Sequence, residues 1–271
     1  MKKYYWIILI IATLSTACKL SSYNNAQGEG VTKKDWKLIW EENFDLSKLD
    51  TSKWTKITPG GSDWNKHMTT DSMCYEIADG KLFLKGIINP DTKSDPRPYL
   101  TGGVYTKGKF AFQYGKIEIH AKLECAQGAW PAMWMLSENQ KYGAYPRNGE
   151  IDIMEHLNFD DKIYQTTHSY YTLELKQKRK PPQHGTAKLD IDKFNTFGLE
   201  WFPDKLVFTL NGKESFRYPK VEGVDPSQWP YDQEFYVLID QQLGGGWVGK
   251  VKADDLPVQM IVDWVKVYQK K

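Results

Sequence analysis

The sequence predicts an all-β protein, a sandwich or jelly roll of antiparallel strands, and three observations carry this expectation. Short runs rich in β-branched and aromatic residues recur at 36–40, 81–87, 103–105, 110–112, 116–123, 132–136, 165–171, 195–201, 205–210, 235–239 and 260–268. Turn dipeptides separate several of them, namely Asp79-Gly80, Asn211-Gly212 and Pro203-Asp204. No long amphipathic helix and no internal repeat breaks the pattern. Many short strands at such spacing suit two sheets packed face to face.

In chain order, residues 1–18 read as a targeting segment. Lys2 and Lys3 precede an apolar run from Trp6 to Leu14, which is too short for a stable transmembrane helix. Ser15, Thr16, Ala17 and Cys18 resemble a bacterial lipobox, with Ser15 standing where Leu is usual. Cys18 is then either the lipidated N-terminus of an envelope protein or discarded in ordinary secretion. The lipidated form would be anchored to the outer membrane and exposed at the surface. Residues 19–34 are polar and aperiodic and read as a tether. Cys74 and Cys125 remain, as a disulfide or as two free thiols, and no metal-ligand spacing points to zinc.

Residues 35–271 fit one domain. The net charge is +2, and the one basic cluster, at 176–180, reads as a solvated loop, so nucleic acid is a poor partner. Aromatic residues make up 14%, with 11 Trp, more than a sandwich core requires. Exposed Trp faces stack on the CH faces of sugars. Trp64 and Asn65, after Gly60-Gly61, form either a sugar platform or a loop packed under its own turn. At 114–122, alternation puts Lys116, Glu118, His120 and Lys122 on one polar face, suited to a wet cleft. Trp130 and Trp134 follow, around Pro131.

The chemistry concentrates at Glu150, Ile151, Asp152, Ile153, Met154 and Glu155. A regular strand would place Glu150 and Asp152 on one face but send Glu155 into the core. Burying an unpaired carboxylate there would cost several kcal/mol. One β-bulge near Met154 restores Glu155 to the acidic face. The two glutamates then lie about 13 Å apart at Cα. Side chains leaning together on a sufficiently curved sheet could bring the carboxyls within about 5–6 Å, a separation that permits a retaining glycosidase pair.

This hexapeptide resembles the active-site signature of glycoside hydrolase family 16, in the bulged form typical of laminarinases. The runs at 114–122 and 128–136 resemble the two strands that precede it, and the similarity extends from Trp36 to the C-terminus. The resemblance implies a jelly roll with the substrate cleft on its concave face. It implies that Glu118 contacts sugar hydroxyls, that Trp130 and Trp134 flank the catalytic subsites, and that His168 lies near the nucleophile. An Asn that meets the sugar in the family corresponds to Asp240 or Gln241 here, and Trp247 forms a further platform. Asp263, with the carbonyls of Glu42 and Gly80, corresponds to a structural calcium site, and an oxygen-only set suits Ca²⁺. No cofactor is needed for catalysis.

The expectation is therefore an endo-acting retaining β-glucanase, a monomer acting on β-1,3-glucan or mixed-linkage β-1,3-1,4-glucan. Glu150 is the nucleophile, Glu155 the acid/base, and Asp152 the carboxylate that tunes Glu150. Agarose, porphyran and xyloglucan are alternative polymers, and a glycan-binding lipoprotein without activity is the alternative class.

Overall fold

The computed structural model describes residues 35–271. The leader, Cys18 and the tether at 19–34 lie outside the described residues. The strands are β1 (Trp36–Glu42), β2 (Thr55–Lys56), β3 (Tyr75–Ala78), β4 (Lys81–Ile88), β5 (Tyr99–Thr101) and β6 (Gly103–Tyr105). There follow β7 (Ala111–Phe112), β8 (Gly115–Leu123), β9 (Ala129–Ser137), β10 (Glu150–Glu155), β11 (Lys162–His168) and β12 (His184–Lys188). The last are β13 (Asn195–Phe202), β14 (Lys205–Leu210), β15 (Lys213–Pro219), β16 (Phe235–Leu243) and β17 (Val258–Lys270).

They form two antiparallel sheets. The nine-stranded sheet runs β15-β14-β13-β8-β17-β4-β3, with β1 beside β17 and β5 beside β4. The eight-stranded sheet runs β12-β11-β10-β9-β16-β6-β2, with β7 beside β16. Period-two patterning decides what lies between them. Ile117, Ile119, Phe197 and Val265 from the first sheet pack with Met133, Met135, Ile151, Val237 and Ile239 from the second. Trp54 and Trp201 are fully buried, so part of the tryptophan excess is core. Asn211 and Gly212 join β14 to β15 at φ 53° and 75°, the left-handed pair that a two-residue hairpin requires.

One expectation needs adjustment, and one open alternative is resolved. The run expected at 165–171 ends at His168, because Ser169 caps a four-residue helix, α1 (Tyr170–Leu173), through Thr172. Cys74 and Cys125 are both free thiols.

The outer face of the eight-stranded sheet is also apolar in part. Ala132 and Trp134 of β9 pack with Tyr236 and Leu238 of β16, beneath Ile57 and Met68. Those positions alternate with the core residues of the same strands. The sheet is therefore buried on one side and carries a hydrophobic floor on the other.

Candidate active site

The acidic strand β10 is central in the eight-stranded sheet, between β9 and β11. The expected bulge is present. Asp152 pairs with Trp134 and Met154 with the adjacent Met133, so β10 carries one residue more than β9 at this point. Ile153 and Met154 both enter the core, and Glu155 returns to the face of Glu150 and Asp152. Gly149 enters the strand at φ 76°, and a Cβ there would come within 2.6 Å of Pro230 Cγ. Glycine at this position thus meets both a left-handed backbone and a close neighbour.

Two cavities meet at the glutamates. One, of about 430 Å³, is lined by Ser62, Trp64, Trp134, Tyr145 and Gln242. The other, of about 670 Å³, is lined by Lys162, Tyr164, His168, His184 and Trp247. Trp130, Glu150 and Glu155 belong to both. Trp64 stands edge-on to Trp134 with ring centroids 4.8 Å apart. Trp247 is 49% exposed and stands edge-on to both Trp130 and Tyr164.

The acids have distinct surroundings. Trp130 Nε1 donates to Glu155 Oε1 at 2.9 Å. His168, directly opposite Glu150 in the sheet, places Nε2 3.3 Å from Asp152 Oδ2 and 4.0 Å from Glu150 Oε1. Burial and then the charge of Asp152 raise Glu155 well above the carboxylate range, although the Trp130 hydrogen bond opposes this. The same two causes push Glu150 up, against the opposing charge of His168. Burial disfavours the imidazolium of His168, but the Asp152 hydrogen bond and the surrounding carboxylates outweigh it and lift the group to about 9. A protonated His168 stands beside Glu150 and Asp152, not beside the Trp130–Glu155 pair. The first proton shared by the acids therefore belongs on Glu155 and the negative charge on Glu150.

These shifts give a pH prediction. Glu150, Glu155 and His168 all bind a proton more tightly folded than unfolded, whereas Asp240, pushed up to about 7 by burial, has lost its proton in both states over most of the window above pH 7. Above pH 7 the unfolded counterparts of the first three have already lost theirs, so stability falls as pH rises from 7 to 9. Each of these three contributes up to about 1.4 kcal/mol per pH unit. His67 and His156, lowered by burial, act in the opposite sense but only below about pH 6.5. The expected result is a melting temperature that declines between pH 7 and 9. A flat or rising melting temperature across that window would contradict the assigned directions.

Three sequence-based assignments are corrected. Glu118 lies on β8 in the other sheet and pairs with Lys116 at 2.9 Å, away from the acids. Alternation identified an outward face but could not say which sheet it belonged to. Asn65 does not line the cleft. Its side chain accepts from Ser62 N at 3.1 Å and holds its own loop, which leaves Trp64 to face the cavity. Gln241 is fully buried on the face opposite to Asp240, and Gln242 takes the cleft position. The structure also adds Tyr145 and Tyr164, which the sequence reading missed. Gln242 could have been found from the period of two, since it shares the parity of Asp240. Tyr145 sits in a loop and carries no periodic signal.

The chain is similar to several known proteins in sequence and in fold. The model of the family described as Glycosyl hydrolases family 16 matches residues 62–266. The chain is 35% identical over 241 residues to a keratan-sulfate endo-1,4-beta-galactosidase of Sphingobacterium multivorum, covering 88% of this chain and 56% of that protein. It is 33% identical over 249 residues to a beta-glucanase of Rhodothermus marinus, covering 86% of this chain and 85% of that one. The laminarinase structure from Rhodothermus marinus superposes with a TM-score of 0.79 at 28% identity, over 87% of this chain and 98% of the other.

Proposed function

The chain belongs to glycosyl hydrolase family 16, and from that premise we propose that it is an endo-acting, retaining β-glucanase of β-1,3- or mixed-linkage β-1,3-1,4-glucan. The observation that supports this best is the position of Glu150 and Glu155 where two Trp-lined cavities meet. A polymer lying across both would present an internal linkage to the pair. Glu150 attacks the anomeric carbon as the glycosidic bond breaks, and Glu155 gives its proton to the leaving oxygen. Glu155 then takes a proton from water, which attacks the same carbon and releases Glu150. Asp152, paired with His168, holds the nucleophile between fixed charges. Two displacements at one carbon return the starting configuration.

A second reading, cleavage of a β-galactan carrying acidic groups, is supported by Lys162 and His184 in the larger cavity and by the name of the Sphingobacterium relative. The test is reducing-sugar release and product length on laminarin, barley mixed-linkage glucan, agarose, xyloglucan and keratan sulfate in parallel. Rapid release of short oligosaccharides from a glucan is the expected result. Cleavage of keratan sulfate or agarose alone would replace it with the galactan reading. Binding without release from any polymer would favour the non-catalytic class.

We also propose a structural calcium ion held by Asp263 and the carbonyls of Glu42 and Gly80. In support, a Cβ placed on Gly80 would lie 3.8 Å from the Asn43 carbonyl and 3.9 Å from the Asp45 carboxylate, an oxygen-rich surrounding. Lys81 Nζ, 3.7 Å from Asp263 Oδ1, would have to yield to the ion. Added calcium should raise the melting temperature and EDTA should lower it; identical melting in both would remove the ion from the proposal.

A further inference from the structure

In β16, separated from the acidic β10 by the strand β9, a carboxylate shares the cleft-side parity and has no ion-pair partner among the described residues. Asp240 is fully buried. Its register partner is Gly103, where a Cβ would lie 2.6 Å from Asp240 Cβ, so β6 presses directly on it. Its Oδ2 accepts from Trp134 Nε1 at 2.8 Å and its Oδ1 from Gln242 Nε2 at 2.6 Å. Both donors line the smaller cavity.

This arrangement fixes the polarity of Gln242. Above about pH 7, where Asp240 is ionised, its carboxylate can only accept, so the amide must turn its N–H towards Asp240 and its carbonyl away. Gln242 is 2% exposed, and its Oε1 is buried with no hydrogen-bond partner. A buried acceptor left bare is the costly half of a hydrogen bond. Gln242 is the register partner of Trp130, and the same wall carries Trp134, whose N–H is already committed to Asp240. The missing partner is therefore a donor, and in an apolar, ring-lined cavity beside two catalytic carboxylates that donor is a sugar hydroxyl. The terminal amide torsion is soft, so Oε1 can turn to a hydroxyl while Nε2 stays on Asp240.

We infer that Gln242 is a specificity-determining residue, whose carbonyl accepts a hydroxyl of the sugar seated against Trp130 and Trp134, and that Asp240 is the positioning residue that sets its polarity. This rests on the glycanase reading above. A site built around a hydroxyl discriminates strongly against sugars that lack it or turn it elsewhere.

Two variants test it by different routes on the polymer that the wild-type protein cleaves. Gln242→Leu removes the acceptor at similar volume. Asp240→Asn keeps the shape but offers one acceptor and one donor. The Trp134 N–H claims the acceptor, and the new N–H forces the Gln242 amide to flip and present N–H to the cavity. Each variant should raise KM at least about tenfold, one hydrogen bond's worth, with a smaller fall in kcat. The double variant should add no more than about twofold, because both changes remove the same contact. Asp240→Asn should melt no lower than wild type, since it removes a buried charge. A merely structural Asp240 would instead lower the melting temperature and leave KM unmoved. If the wild type cleaves its polymer and both variants keep its KM within about threefold, this inference falls while the glycanase reading stands. If the wild type cleaves none of the polymers, both fall.

Discussion

Glu150→Gln should hydrolyse glucan at least about 10⁴-fold more slowly than wild type, because no other group on the cleft face can form the glycosyl-enzyme in its place. Asp152 is the nearest carboxylate, but it is 2% exposed and its Oδ2 faces His168 Nε2 at 3.3 Å. The substitution is nearly isosteric and removes a charge that burial already disfavours, so the fold should survive with an unchanged or higher melting temperature. Binding should also survive, since the stacking surfaces of Trp64, Trp130, Trp134 and Trp247 are untouched. Reducing-sugar assays beside affinity electrophoresis in glucan gels separate the two properties. Retention of more than about one hundredth of wild-type activity would overturn the assignment of the nucleophile.

Glu155→Gln should slow hydrolysis of the polysaccharide by about 10²–10⁴-fold, the range of general acid–base assistance. The amide oxygen can still accept from Trp130 Nε1, so the indole keeps its place and the loss reports the proton alone. An aryl glycoside with a good leaving group needs no proton to depart. That substrate should still load Glu150, and external azide should then release the enzyme as a glycosyl azide of retained configuration. Lack of azide rescue, or a product of inverted configuration, would take Glu155 out of the acid/base role. The two variants thus separate the steps that wild-type kinetics combine.

What the sequence made legible follows from where periodicity carries information. Parity plus the cost of a buried carboxylate was enough to place a bulge between Asp152 and Glu155. The interior strands were found because they bury apolar side chains at a regular period. Strands β12 and β15 were missed for the complementary reason. They lie at the edges of their sheets, and His184–Lys188 and Lys213–Pro219 expose much of their length, which leaves no apolar stripe to read. The cleft was half legible. Trp130, Trp134, His168 and Trp247 stand where the sequence placed them, near the acids. Glu118 does not, because an outward-facing strand looks the same in either sheet, and only the pairing of β8 with β13 and β17 settles which.

The bulge in β10 has a consequence for how this strand tolerates changes in length. Most one-residue insertions or deletions in a central strand reverse every side chain beyond them. Here the extra residue is accommodated where Ile153 and Met154 both turn inward. Removing one of them would leave Glu150, Asp152 and the final glutamate in plain alternation, still on the cleft side. The strand is thus indifferent to reading-frame-like slippage at this single point, and two backbone lengths can present the same three acids. Such a position lets an active site change length without passing through an inactive intermediate.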